Sequence, residues 1–193
     1  MMKRCDWATK SPQLMDYHDT KWGVPDYDEQ SLFRDLSLEI MQAGLQWNLI
    51  LKKLDGLDDI YHQFDFGYLA YHFEEVRRRA LNDVRGIRNR SKIEAILTNA
   101  QIMAELEAQN IHFFDQLWQL VNYTPIDHLV SNDQVNLDEM KPMMEKFKRM
   151  FQKYHFKRVG PMTLYSFLQA SGIVNDHDVE CFRHDEILKY RGR

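Results

Sequence analysis

Hydrophobic residues recur along most of the chain at the 3.6-residue spacing that is typical of amphipathic helices. The clearest case is a helix predicted over residues 29–43, in which Leu32, Leu36 and Ile40 share one face. Asp28 precedes this helix as its predicted N-cap, because its carboxylate can accept hydrogen bonds from backbone amides at the helix start. No run of alternating apolar and polar residues is bounded by hairpin turns. The sequence therefore predicts an all-α fold.

The same spacing predicts further helices, whose limits are indicated by proline and glycine. Their approximate ranges are 47–54, 58–63, 73–83, 91–109, 113–122, 142–154 and 161–171. Pro142 and Pro161 suit the first turn of a helix, since proline lacks an amide hydrogen that would be unpaired there. Gly56 and Gly172 are expected just beyond helix ends. The polar stretch 126–139 has weak periodicity and is predicted to be a surface loop.

The composition fits one globular domain of 193 residues, with 44% hydrophobic and 28% charged residues. The net charge of −4 argues against a protein that coats nucleic acid regardless of sequence. The two cysteines are too few for a disulfide framework. Residues 1–7 lack the apolar segment of a signal peptide, and residues 159–175 are too polar for a membrane span. We therefore expect a cytoplasmic protein with reduced thiols and no membrane partner.

Glu39 is the first candidate for chemistry, because it lies on the apolar face of the helix predicted over residues 29–43. It follows Leu32 by seven residues and precedes Ala43 by four. An isolated buried carboxylate is costly unless it is paired. The spacing alone favours a structural acid paired with an arginine or with backbone amides, and a functional acid is the alternative.

Cys5, His18, His177 and Cys181 are the second candidate, as a metal site. His177 and Cys181 are four residues apart and would share one face of a helix. Two thiolates and two imidazoles complete a tetrahedral zinc site, so such a zinc would be structural. On spacing alone, two buried thiols and two ordinary histidines remain the favoured interpretation.

The third candidate is the segment 156–163, in which Val-Gly-Pro precedes a predicted helix. Free amides at a helix start can bind a phosphate oxygen. Lys157 and Arg158 lie within the segment, and Lys146 and Lys153 add positive charge upstream. By itself, the segment is more typical of a packing turn between two helices.

Aromatic residues are also frequent in the N-terminal third of the chain. Core packing is the ordinary interpretation, and a base-stacking pocket is the alternative. The residues are Trp7, Tyr17, Trp22, Tyr27, Phe33 and Trp47.

Together these segments resemble the bacterial 3-methyladenine DNA glycosylase I family, within the helix-hairpin-helix glycosylases. The resemblance covers nearly the whole chain and is weak only at residues 126–139. The matching stretches are RCDW (4–7), YHD (17–19), WGVP (22–25), LEIMQAGLQW (38–47), residues 156–177 ending in SFLQASGIVNDH, and, more weakly, GIRNRSKI (86–93).

The resemblance implies one domain over residues 1–193, with two helical lobes and a base pocket between them. It implies that the four cysteines and histidines named above bind one structural zinc, which joins the chain ends. We expect the protein to be a monomer that acts on double-stranded DNA containing alkylated adenine.

The resemblance also implies roles for the site residues. Glu39 is the catalytic residue that reads the damaged base, and the base-binding residues that form or support the pocket are Tyr17, Trp47, Trp7 and Trp22. An adenine alkylated at N3 is cationic, so aromatic faces and a carboxylate suit it. The base must also leave the duplex, which costs a few kcal/mol.

The hairpin residues Val159 and Gly160, with Lys157 and Arg158, are implied to hold the DNA backbone. Related bifunctional glycosylases carry a lysine at the position of Met162, and its absence here implies no Schiff base. The expected reaction is therefore hydrolysis of the N-glycosidic bond, which leaves an abasic site and free 3-methyladenine.

Two further positions differ from related enzymes. The aspartate that is usual in the superfamily is replaced by Asn175, and Asp176 lies one residue out of register. Leu14 stands where the family commonly has a tyrosine, which raises two alternatives: an altered base preference, or a module that binds damaged DNA without excising the base. A zinc-dependent hydrolase is disfavoured, because four protein ligands close the coordination sphere.

Overall fold

The computed structural model describes residues 2–131 and 137–190, and helices form most of this part of the chain. The all-α fold predicted from the sequence is confirmed. The α-helices are α1 (Pro12–Thr20), α2 (Glu29–Gln42), α3 (Trp47–Lys52), α4 (Leu54–Ile60), α5 (Phe66–Tyr71), α6 (Phe73–Asn82), α7 (Arg90–Ala108), α8 (Phe113–Gln119), α9 (Leu137–Lys153), α10 (Pro161–Ala170) and α11 (Phe182–Ile187). Two 3-10 helices span Asp6–Lys10 and His62–Phe64.

Helix α2 occupies the centre of the fold and packs against α3, α7, α8 and α10. Its start is fixed by Asp28, whose Oδ1 accepts the amide hydrogen of Ser31 at 2.7 Å. Its end is followed by Gly44, which has the left-handed φ of 79°. Leu32, Leu36 and Ile40 are fully buried in one continuous apolar core. The limits predicted for this helix are therefore confirmed to within one residue.

The helix predicted over residues 47–54 is shorter than expected, because α3 ends at Lys52 and α4 begins at Leu54. Gly56 lies inside α4 and does not end a helix. A Cβ at Gly56 would lie 2.6 Å from the Cβ of Arg85. This glycine permits close packing between two segments, which its position in the sequence does not indicate.

The surface loop predicted over residues 126–139 is wrong in part. Ile126–Asp127 forms strand β1, which pairs in parallel with strand β2, Val174–Asn175. Helix α9 begins at Leu137, so Pro142 lies inside the helix rather than opening it. A two-residue strand shows no alternation, and a proline inside a helix is disfavoured because it lacks the amide hydrogen and crowds the carbonyl four residues earlier, so Pro142 indicated a helix start instead. Residues 132–136 lie outside the described part of the chain.

Several short elements were not predicted, among them helix α1, which carries Tyr17 and His18. Ser11 caps α1, since its Oγ accepts the amide hydrogen of Leu14 at 3.2 Å, and Pro12 occupies the first turn. This serine–proline pair is a helix-start signal that could have identified α1.

Helix α10 is largely buried and ends in a close backbone contact. Gly172 has a φ of 72°, and a Cβ there would lie 2.4 Å from the backbone nitrogen of Pro25. The amide of Asp26 donates to the carbonyl of Ser171 at 3.2 Å. The segment that leads into α2 is thereby seated on the end of α10. None of the described helices combines the length and hydrophobicity needed to cross a membrane.

We predict that Gly172→Ala lowers the free energy of unfolding by about 3 kcal/mol, because the added methyl meets backbone atoms at a left-handed φ. Urea unfolding measures this change. Gly160→Ala is the matched control: a Cβ at Gly160 meets no atom within 4 Å, and its φ is −75°. Equal stability of the two variants would contradict the role given to Gly172.

Candidate active site and metal centre

A cavity of about 260 Å³ opens between the N-terminal segment, α2, α3 and α10. The five residues that the sequence assigned to a base pocket all line this one cavity: Glu39, Tyr17, Trp47, Trp7 and Trp22. They come from four helical segments and one connecting loop, so the fold itself assembles the cavity.

Four aromatic side chains form two pairs in the wall. The rings of Tyr17 and Trp47 lie 5.2 Å apart at an interplanar angle of 46°. Trp7 and Trp22 meet edge to face at 4.9 Å and 78°. The indole N–H of Trp47 is buried and has no hydrogen-bond partner in the described ranges. Such a wall suits a flat aromatic ligand, which can stack on ring faces.

Glu39 is only 6% exposed. Within residues 2–131 and 137–190, its carboxyl group forms no hydrogen bond or ion pair, so the structural partner that its spacing suggested is not found there. Burial, and secondly the nearby Asp35, raises the pKa of Glu39 to about 8. At neutral pH Glu39 of the free protein is therefore mainly the neutral acid rather than a carboxylate.

Three polar residues of the wall were not predicted: Gln42, Ser166 and Gln169. Gln169 Nε2 donates to Asp176 Oδ2 at 2.7 Å, which fixes the orientation of its amide. Ser166 and Gln169 are three residues apart on a helix that buries Leu164, Phe167 and Leu168. The same reasoning that identified Glu39 could have found them.

The carboxyl group of Asp176 is the centre of a buried network. It accepts from the hydroxyl of Tyr165, and its Oδ1 lies 2.7 Å from His128 Nδ1. Asn175 is fully buried; its Nδ2 donates to the carbonyl of His184 at 3.3 Å, and its Oδ1 accepts from the amide of His177. These contacts make both residues part of the framework behind the cavity.

Lys92 was missed, although it belongs to one of the matching stretches. Its side chain is buried, and its Nζ donates to the carbonyls of Met41 and Ala43 at 2.7 Å and 2.6 Å. A lysine at this position satisfies the last carbonyls of α2 and opposes the negative end of its dipole. Lys92 thus fixes the end of the helix that carries Glu39. Lys92 and Met41 are 51 residues apart in the sequence, so local spacing does not predict their contact.

Leu14 lies one turn before Tyr17 on α1 and is not among the residues that line the cavity. The residue that raised doubt about the base preference is therefore adjacent to the wall and outside it.

The hairpin between α9 and α10 is held on α7. The amide of Lys157 donates to Asn99 Oδ1 at 2.7 Å, and Asn99 Nδ2 donates back to the carbonyl of Lys157 at 3.1 Å. Arg158 contacts the hydroxyl of Ser91 at 3.0 Å. Lys157, Arg158 and Gly160 are exposed, so this edge is open to a ligand.

The two other lysines proposed for phosphate contact are already engaged. Lys146 Nζ donates to the carbonyl of Leu120 at 2.8 Å. Lys153 Nζ lies over the ring of Tyr154 at 4.6 Å. Lys157, whose ammonium has no partner among the described residues, is therefore the strongest candidate on this surface. Arg158 is exposed and makes one side-chain contact, with Ser91.

The four predicted metal ligands meet in one buried cluster, with their ligand atoms within 4.8 Å of one another. Cys181 Sγ lies 3.4 Å from His18 Nε2 and 3.8 Å from His177 Nδ1, and Cys5 Sγ lies 3.8 Å from the same Nδ1. A tetrahedral zinc with ordinary bond lengths separates sulfur from nitrogen by about 3.6 Å. The cluster can therefore hold a metal ion.

The helical face predicted for His177 and Cys181 is wrong. Both residues lie in the turn before α11, where the amide of Cys181 donates to the carbonyl of Asp178 at 2.7 Å. A tight turn brings positions four apart together as a helix would, so their spacing does not distinguish the two.

The second nitrogen of each histidine is also bonded, as is usual around metal ions. His18 Nδ1 lies 2.8 Å from Asp19 Oδ1, and Asp19 is paired with Arg4 at 2.8 Å. His177 Nε2 lies 3.2 Å from the carbonyl oxygen of Trp22. These contacts orient the remaining nitrogens toward the two sulfur atoms.

The Cys/His cluster supports the aromatic wall directly. The His177 ring meets Trp22 edge to face at 4.6 Å, and the His18 ring meets Trp7 at 5.4 Å. Gly23 has a φ of 75°, and a Cβ there would lie 2.8 Å from His177 Nε2. The Cys/His cluster and the cavity therefore share one structural unit.

Comparison with known proteins gives a consistent result. Residues 7–184 match the model of a family described as methyladenine glycosylase. The chain is 37% identical over 180 residues to DNA-3-methyladenine glycosylase 1 of Escherichia coli (strain K12), which covers 93% of this chain and 96% of that protein. A crystal structure of 3-methyladenine DNA glycosylase I is similar at a TM-score of 0.85 and 38% identity, with 94% of this chain and 100% of that chain covered.

A variant of 3-methyladenine DNA glycosylase I in complex with 3-methyladenine is also similar. Its TM-score is 0.83 at 31% identity, and 100% of both chains is covered. The likeness therefore extends over the cavity as well as the helical framework.

Glu39→Gln should stabilise the protein in a pH-dependent way. Because the pKa of Glu39 rises from an ordinary 4.5 to about 8 on folding, the native state binds the extra proton between these values, and wild-type stability falls as pH rises through that window. The advantage of the variant should be small at pH 4 and reach on the order of 3 kcal/mol at pH 8. Thermal unfolding at both pH values tests this. A variant less stable than wild type at pH 8 would indicate a buried ion pair instead.

Proposed function

This chain belongs to the methyladenine glycosylase family, and we propose that it excises 3-methyladenine from alkylated DNA in the cavity around Glu39. The resemblance found in the sequence is confirmed at the level of the family. The observation that carries the assignment is a buried acid surrounded by four aromatic side chains. The continuous apolar core of the described residues supports a single domain, and we further propose that the protein acts as a monomer.

The aromatic wall supports capture of a base that has left the duplex. Extrusion costs a few kcal/mol, and stacking returns about 1–3 kcal/mol per base. Alkylation at N3 makes adenine cationic and weakens its glycosidic bond. The bond between the sugar and the base breaks with its electrons going to the base, which leaves as neutral 3-methyladenine. Water then adds to the sugar carbon and loses a proton to solvent, which leaves an abasic site.

In this proposal Glu39 recognises the base as a neutral acid. The sequence leads us to expect an ionised carboxylate at this position. A protonated carboxyl offers one donor and one acceptor, whereas a carboxylate offers acceptors only. The adenine edge presents an amine donor beside the N7 acceptor. The neutral acid is complementary to this pair, and a bound cationic base would favour its ionisation.

The hairpin is proposed to hold the DNA backbone through Lys157, Arg158, Val159 and Gly160. Exposure of this edge and its fixation on α7 through Asn99 support the assignment. Met162 is exposed and occupies the position where related bifunctional glycosylases carry a lysine. Methionine has no amine and cannot form a Schiff base. We therefore infer hydrolysis without strand cleavage.

We propose that the Cys/His cluster binds one structural zinc. Two thiols, two imidazoles and a bonded second nitrogen on each ring suit this ion. The zinc would supply stability alone, since the four side chains fill its coordination sphere.

The alternative of a non-catalytic module that binds damaged DNA rested on Leu14. Because Leu14 is not part of the cavity lining and Glu39, Tyr17 and Trp47 are, the arrangement favours excision.

Base release from methylated DNA tests the proposed function. We expect wild type to release 3-methyladenine, separated by chromatography, and to yield no protein–DNA adduct with borohydride. Glu39→Gln keeps a donor and an acceptor but cannot ionise beside the cationic base, so it should lower the rate by about 100-fold. Glu105→Gln, the same change on the exposed face of α7, should not alter the rate. The absence of release by folded wild type would refute the function, and a trapped adduct would refute the hydrolytic route.

The zinc proposal predicts about one zinc per chain by elemental analysis. Cys181→Ser should lose the metal and lower the melting temperature, because metal binding free energy contributes to folding. Since His177 packs on Trp22, the variant should also alter the tryptophan fluorescence of the cavity wall. A metal-free preparation that melts with the wild-type midpoint would rule out this role.

A further inference from the structure

A second cavity, of about 230 Å³, shares the side chains of Tyr17 and Trp47 with the first. Asp35 lines this second cavity and is partly buried. Nothing in the function proposed above uses it. Among the described residues, its carboxyl group forms no hydrogen bond or ion pair.

Asp35 and Glu39 are four residues apart on α2, so their side chains lie one turn apart on the same face. Like charges at this spacing destabilise each other, and burial strengthens the effect because water screens it less. Asp35 is therefore the nearest charged residue to Glu39 on α2.

The charged groups around Asp35 offset its negative charge only weakly. Arg34 is already paired with Asp58 at 2.8 Å, and Lys21 is exposed. Asp26 also lines the second cavity and adds negative charge, while its oxygens accept from neighbouring groups of its own segment.

The elements packed against α2 bring no counter-ion to Glu39 in the part of the chain described. The only titratable side chain of α10 is Tyr165, which is bonded to Asp176. The ammonium of Lys92 on α7 is occupied by two carbonyls of α2, and Lys52 on α3 is exposed. His62 stacks on Tyr68 at 3.9 Å. Helix α8 approaches the opposite end of α2, where Glu29 accepts from the amide of Asp115.

We propose that Asp35 is a positioning residue that, together with burial, keeps Glu39 protonated in the free protein and thereby sets the hydrogen-bonding pattern offered to the base. This inference rests on the proposed function, because it concerns how the same acid recognises its ligand. A carboxylate at Glu39 would present two acceptors to the adenine edge, whereas the protonated acid matches its donor and acceptor together.

The shifts in pKa agree with this arrangement. The pKa of Glu39 is raised to about 8, first by burial and then by Asp35. Burial, and secondly Asp26, raises the pKa of Asp35 to about 7. Removing the charge of Asp35 leaves the burial of Glu39 unchanged and removes the repulsion.

A carboxyl-carbon NMR titration of the full chain tests the proposal directly. The Glu39 midpoint should lie near pH 8 in wild type and about 1 unit lower in Asp35→Asn. Asp35→Glu, which keeps the charge, should retain the high midpoint. Asp55→Asn is the matched control, because it removes an exposed carboxylate from α4; its Glu39 midpoint should equal that of wild type.

Binding of 3-methyladenine, followed through the fluorescence of the cavity tryptophans, supplies the functional readout. Its pH profile should move to lower pH in Asp35→Asn and stay in place in Asp55→Asn. If Asp35→Asn does not fold, Asp35→Ser removes the same charge with a smaller side chain.

An unchanged Glu39 midpoint in the folded charge-removing variant would overturn the inference, as would a wild-type midpoint below pH 5. The base-release assay separates this outcome from failure of the proposed function. Wild type that releases 3-methyladenine while the midpoint is insensitive to residue 35 refutes only the role of Asp35. Wild type without release refutes the function itself.

Discussion

The junction of the two chain ends at Cys5, His18, His177 and Cys181 is the contact on which the functional site depends. The N-terminal segment contributes three of the four aromatic residues of the cavity. The His18 ring packs on Trp7 and the His177 ring packs on Trp22, so the cluster fixes the positions of two residues of the cavity wall. The backbone contact between Gly172 and Pro25 holds the next segment in the same way.

The interior of the cavity is organised around an uncompensated acid. Most buried carboxyl groups are paired, because burying an unpaired one destabilises the folded protein. Glu39 remains without a partner in the described part of the chain, and its neutral form relieves the cost at neutral pH. A group kept in this state can exchange hydrogen bonds with a ligand without first breaking an ion pair. The presence of an unpaired buried acid at this position is consistent with a site selected for binding rather than for stability.

Helix α7 links the cavity to the exposed hairpin. Lys92 near its start fixes the end of α2, and Ser91 and Asn99 hold Arg158 and Lys157. The spacing between the acid that faces the base and the backbone that faces the DNA is thus set by one long helix. A rigid element of this kind preserves the distance between two binding surfaces that lie far apart in the sequence.

Periodicity and capping determined the helical class, the limits of α2 and the placement of Glu39 on a buried face, because these properties follow from neighbouring residues. The matching stretches identified the five pocket residues and the Cys/His set in advance. Only the tertiary structure decided that Gly56 permits packing, that residues 126–127 pair with β2, and that His177 and Cys181 lie in a turn. The same holds for the contact of Lys92 with the end of α2 and for the lack of a partner at Asp35 among the described residues. Both depend on segments distant in the sequence, which local spacing does not indicate.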